Sequence, residues 1–172
     1  MSLSAMTATN TVSVTLTQWF LPEKQVVFIK PAGWIEQRDR DNPLKASFFT
    51  LGCVQAGIDV LAAAYEKKGF EFIQTAINAF SAELNQCRHQ ILQGIDNPNL
   101  TITEKYQLRG WAIELAVRCA HAGVTVSSGA ANLIHHSAQR VYREALVFTV
   151  SGQTTDLMAA TLNHLIRSPN SI

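Results

Sequence analysis

The chain has 172 residues, 47% hydrophobic and 16% charged, with a formal net charge of +1. That length fits one domain with room for a small appendage, and the composition is that of a globular rather than a disordered protein. Near-neutral charge with no basic stripe gives no ground for binding nucleic acid or an anionic membrane. The start, MSLSAMTATN, has neither the basic nor the apolar region of a secretory leader. No apolar run approaches the roughly 20 residues a membrane span requires, so a cytoplasmic protein with no membrane partner is expected.

The pattern changes near residue 44, dividing an N-terminal part, 1–43, from a helical part, 44–172. In the first, Val12, Val14 and Leu16 alternate with Ser13, Thr15 and Thr17, the period of a half-buried strand. A turn at Leu21-Pro22-Glu23-Lys24 precedes a second extended run, Gln25 to Ile29. The expectation is a β-hairpin, which needs further pairing to be stable. WIEQRDRDNPL, residues 34–44, is polar and ends in Asn-Pro, a linker signature.

Helical periodicity begins at about Leu44 and runs to Lys68, interrupted by Gly52 and Gly57. Glycine inside a helix costs about 1 kcal/mol, so the pair implies close approach of a neighbouring helix. After Gly69, the positions Ile73, Ala76, Ile77, Phe80, Leu84, Cys87 and Ile91 form one long stripe. Thr101 and Glu104 have the spacing of a capping box at the start of a third helix, which buries Leu108, Trp111, Leu115 and Cys119. A fourth runs from about Ser137 to Val150, and a last one begins at Thr154 or Thr155. Four principal helices with short connections predict a mostly α protein, an antiparallel four-helix bundle.

Candidate chemistry is sparse. His135 and His136 are adjacent, about 100° apart on a helix, and cannot chelate one metal as an i, i+4 pair could. His89, His121 and His164 read as ordinary bundle histidines. Cys53, Cys87 and Cys119 lie more than thirty residues apart in apolar helical patterns and read as buried, reduced thiols. Glu114 has Arg118 at i+4, and Glu144 has Arg140, so both read as helix ion pairs. Asp39 and Asp41 sit among Arg38 and Arg40 and read as solvated loop charges. No metal site and no nucleotide-binding glycine motif occurs.

The order of elements carries more. The run VSVTLTQWFLPEKQVV, the polar loop, and the helix LGCVQAGIDVLAAAYEKK resemble the acyl-CoA dehydrogenase family from the end of its middle β-domain onward. Thr11 to Pro22 stands where that family has a strand leading into its C-terminal helical domain. Arg143-Glu144-Ala145 is similar to the family's Arg-Asp-Ala helix. The elbow VSGQTTD, residues 150–156, is similar to its Gly-Thr turn before the last helix. The likeness runs from about residue 10 to 167 and implies an FAD-dependent oxidoreductase acting on acyl-CoA.

The departures matter as much. Many members carry a catalytic glutamate just before Gly-Thr, and this register puts Gly152 there. Another branch carries its base near the start of the first helix, close to Asn42. A general base needs a carboxylate within hydrogen-bond reach, and neither position supplies one. By resemblance the cofactor contacts are Lys68, in place of an arginine, then Ser128 and Gly129, in place of Gly-Gly, with Thr154 and Asp156 in the last turn. The family's N-terminal helical domain and most of its β-domain have no counterpart in the chain. The resemblance therefore implies a truncated member, inactive alone, that forms a homodimer or higher oligomer, with a separately encoded N-terminal half as a possible complement. Two alternatives are a flavin-dependent monooxygenase of the same fold, which needs no α-proton base, and a non-catalytic oligomerisation or scaffold module.

Overall fold

Residues 3–9 and 11–166 are described by the computed structural model. They fold into six α-helices: α1 Trp34–Asp41, α2 Ser47–Lys68, α3 Glu71–Ile95, α4 Ile102–Ser127, α5 Ser137–Val150 and α6 Thr155–Leu165. The mostly helical expectation holds; α6 is the last helix expected from Thr154 or Thr155, and α1 is the helix that was not foreseen. Helix α4 is the hub, packing against α2, α3, α5 and α6. Its start is fixed by the capping box: Glu104 N–H donates to Thr101 Oγ1 at 3.2 Å, and Thr101 N–H donates to Glu104 Oε2 at 2.7 Å. Helix α2 stops at Gly69, whose φ of +64° suits a residue without Cβ and lets its N–H reach Tyr65 O at 2.8 Å.

The faces of α4 are small because its neighbours come close. A Cβ on Gly57 of α2 would lie 2.8 Å from Cys119 Sγ, and one on Gly110 would lie 3.1 Å from the Ala160 backbone of α6. Ala112 and Ala116 are fully buried between them. Gly52 is different: no atom lies within 4 Å of where its Cβ would be. The main core joins Val54, Leu61, Ile91, Leu115 and Val141, whereas Tyr106, Ile113, Leu157 and Ala160 form a second cluster beneath α6. All three cysteines are buried in the main core as free thiols.

Three expectations are corrected. No strand forms among the described residues, so the N-terminal hairpin is absent: residues 11–30 are non-helical apart from a short 3₁₀ turn at Glu23–Gln25. Their apolar side chains are left in solvent, Val14 73%, Phe20 83%, Val27 90% and Ile29 86% exposed. Alternation specifies a face, but a strand also needs a neighbour to complete its hydrogen bonds. The polar linker is helical over α1, which starts at Gly33 (φ +78°). Lys30 and Arg38 hold their charges 4.9 and 5.3 Å from the Trp34 ring centre. Third, α2 is long and apolar enough to cross a membrane by length and composition, although more than half of that stretch is buried within the bundle.

The two α2 glycines have opposite expected effects. Gly52→Ala should raise stability by about 0.5–1 kcal/mol through helix propensity alone. Gly57→Ala should lower it, because backbone atoms of Cys119 at 3.2 Å cannot move aside as a side-chain tip could. Equal shifts in urea midpoint would refute this placement of α2 on α4. The thiols set an alkaline limit. Burial pushes Cys53, Cys87 and Cys119 from the ordinary 9.0 up to about 12. Above pH 9 the unfolded chain loses protons that the folded chain keeps. Stability is therefore full below that pH and falls above it by about 1.4 kcal/mol per pH unit per thiol. Cys87→Ala should flatten the slope of unfolding free energy between roughly pH 9 and 11 by that amount; an unchanged slope would mean the thiol is hydrated.

Candidate functional site

Helix α5 ends where Ser151 N–H donates to Val147 O, and the chain then turns through Gly152 at φ +58°. Thr154 restarts it as the N-cap of α6, its hydroxyl accepting from Leu157 N–H at 3.2 Å. The elbow is held from below by Arg109 of α4. That guanidinium donates through Nη2 to Ser151 O at 2.8 Å and through Nη1 to Pro43 O at 3.3 Å. It thereby ties the α5–α6 elbow to the α1–α2 joint at Pro43, 108 residues before Ser151 in sequence. A cleft of about 510 Å³ opens between the two, with Arg38, Asp39, Asn42, Lys45, Arg109 and Gly152 in its lining.

Arg109 is only 5% exposed. Burial lowers its pKa below the ordinary arginine value, with the charges of Asp39 and Tyr106 acting the other way. An arginine stays protonated in such a site, so a full positive charge sits at the cleft floor. Among the described residues no carboxylate lies within salt-bridge distance of it. Asp39 is the cleft's one carboxylate, 3.6 Å from Arg38. Its Oδ2 lies 3.8 Å from where a Cβ on Gly152 would be, and Arg109 Nη2 lies 3.0 Å from the same point. Ser47 Oγ and Gln153 Oε1, each one residue from a lining position, are buried side-chain oxygens without a hydrogen-bond partner.

Asn42 and Gly152, the two positions singled out for a base, thus face one cleft although 110 residues separate them. Thr154 and exposed Asp156 follow two and four residues after Gly152 at the start of α6, outside the cleft's lining. Lys68, Ser128 and Gly129 do not join them. Lys68 Nζ donates to Val126 O at 2.6 Å at the far end of α4, where Ser128 (φ +55°) and Gly129 are exposed. From Arg109 to Val126 the helix rises roughly 25 Å, so the two groups cannot meet at one phosphate.

Most charged pairs are structural as read: Glu114 bonds Arg118, which also bonds Glu83, and Arg140 Nη1 meets Glu144 at 3.0 Å. His136 caps α5 through Nδ1, accepting from Ala138 N–H at 3.2 Å. Among the described residues no group of three His, Cys, Asp or Glu side chains could hold a metal. Asp39 and Arg109 are the residues that sequence reasoning missed as site members. The available signal for Arg109 was its spacing: Tyr106, Arg109, Ile113 and Ala116 repeat at three and four along a second buried face of α4.

Gly152→Ala should lower stability by about 1–2 kcal/mol through its left-handed backbone, and Arg109→Leu by about 2–4 kcal/mol through two abandoned carbonyls. Denaturant midpoints check both. Wild-type stability in both variants would mean that the elbow is not clamped.

No protein-family profile matches the chain, and no curated protein is significantly similar to it. Among solved structures, its fold is similar to a chain from work on the electron transferring flavoprotein of Acidaminococcus fermentans and the mechanism of flavin-based electron bifurcation. The TM-score is 0.59 at 13% identity, over 73% of this chain and 36% of that one. The match therefore spans about a third of the neighbour, and at that identity it is a likeness of fold.

Proposed function

We propose that the chain is the helical module of an acyl-CoA dehydrogenase-type flavoprotein that does not carry out dehydrogenation by itself. One observation carries this reading: the joint at Asn42 and the elbow at Gly152, where the resemblance puts alternative bases, line the same cleft, and neither is a carboxylate. A fold shared with a chain from work on a flavoprotein supports it at the level of architecture.

FAD is the cofactor this reading implies. Within one copy the fit is incomplete. Thr154 and Asp156 stand near the cleft, whereas Lys68, Ser128 and Gly129 lie roughly 25 Å away along α4. In this proposal the flavin is held between copies of the chain, or between the chain and a separately encoded N-terminal half. The exposed apolar arm at residues 11–30, with Val14, Val27 and Ile29 in solvent, supports a partner that supplies a sheet. Second, the flavin-dependent monooxygenase branch is favoured by the elbow itself. A glycine beside a buried cation, at the position where the resemblance puts a base, suits chemistry that removes no α-proton.

The purified chain should retain FAD, read from its visible absorption, only in an oligomeric fraction or after mixing with the complementary half. Lys68→Glu should abolish that retention while leaving the helical signal intact. A protein that stays colourless in every oligomeric state and mixture would overturn the flavoprotein reading and leave the scaffold module.

A further inference from the structure

We infer that the Arg109 cleft binds a small amphipathic organic anion, with a carboxylate head and a short apolar body. The inference rests on the cleft's charge and shape and is independent of whether flavin binds. Three cations, Arg38, Lys45 and Arg109, line the cleft against one carboxylate, Asp39. Asp39 lies 3.6 Å from Arg38 and its charge also acts on Arg109, so the lining as a whole keeps an excess of positive charge. A buried guanidinium without a paired anion is costly, and a carboxylate is the ligand its planar donor set matches best. Two of its five N–H groups go to Pro43 O and Ser151 O.

Space for the head comes from Gly152. Any side chain there would begin 3.0 Å from Arg109 Nη2, so glycine keeps that approach to the guanidinium open. Space for the body lies alongside. A second hollow of about 300 Å³ shares Ala46, Phe49, Arg109 and Ser151 with the cleft and is walled by Met6 and Phe148. Phe49 is 72% exposed, an aromatic face in solvent at the boundary of the two. Positive charge and an exposed aromatic wall in one connected space select an anion with an apolar tail over an inorganic ion or a neutral lipid. Covering Phe49 and Met6 supplies the apolar part of the binding, and Arg109 supplies orientation.

Octanoate, octanol and inorganic phosphate, compared by calorimetry on the purified full chain at fixed ionic strength, test this. Octanoate should bind saturably at one site per chain, and neither of the other two should compete with it. Lys45 is exposed and outside α1, so the variant K45A should fold normally and weaken octanoate by about threefold through lost charge. Phe49→Ala should weaken octanoate as well. Equal binding of phosphate would overturn the apolar part, and equal binding of octanol would overturn the charge part. No octanoate binding, or binding unchanged in both variants, would overturn the assignment itself. FAD retention is a separate readout, so failure here leaves the flavoprotein reading standing.

Discussion

The clamp made by Arg109 is the interaction on which the end of the molecule carrying the cleft depends. A guanidinium that is 5% exposed would be untenable in an apolar bundle. Two backbone carbonyls, of Pro43 and Ser151, make it tolerable. Those carbonyls are free for a reason. Pro43 follows the end of α1, and Ser151 follows the end of α5, so each belongs to a terminus whose last carbonyls have no intrahelical partner. One side chain from the hub helix thus satisfies two helix ends and fixes the distance between them. Gly110, the next residue, brings α6 against the same turn of α4. The cleft is therefore a consequence of how α4 is packed on both sides.

Much of this was legible from residue order. The stripe of α3, the capping box of α4 and the turn at Gly69 follow from local rules and appear where those rules put them. Gly57 was legible as a close contact, but its twin Gly52 was not distinguishable from it: propensity sees only the missing Cβ, whereas the neighbour that justifies it lies across the bundle. Helix α1 was missed because WIEQRDRD has no apolar stripe. It is held by Gly33 and by Trp34 between two cations, together with a Gln37–Asp41 hydrogen bond at 2.7 Å, which are interactions that periodicity does not register. The hairpin failed for the opposite reason. The alternation at Val12–Leu16 is real, but its meaning depends on a partner strand, and none pairs with it among the described residues.

The candidate site was half legible. Gly152 and Asn42 could be marked from sequence, yet only the tertiary fold shows that they share a cleft. Asp39 read as a loop charge because its helix was not foreseen. Arg109 was unremarkable because a single arginine in a long helix is ordinarily solvated. Two inward faces of α4 make the difference: a helix packed on several sides has no single polar face to which a charge can be assigned. The contacts at Lys68, Ser128 and Gly129 show the converse. They are credible one by one, but the length of α4 separates them from the elbow.

Arg109 also limits what a side chain at the elbow could do. If Gly152 were simply a deleted carboxylate, replacing it would restore a base. The point where its side chain would start is 3.0 Å from Arg109 Nη2 and 3.8 Å from Asp39 Oδ2. A carboxylate built there would be drawn to the cation and held ionised, and its affinity for a proton would fall. A cation favours a bound anion as strongly as it weakens a base, so the same geometry that argues against proton abstraction argues for holding a negatively charged ligand. The elbow is better understood as a place suited to holding an anion than as a place suited to a base.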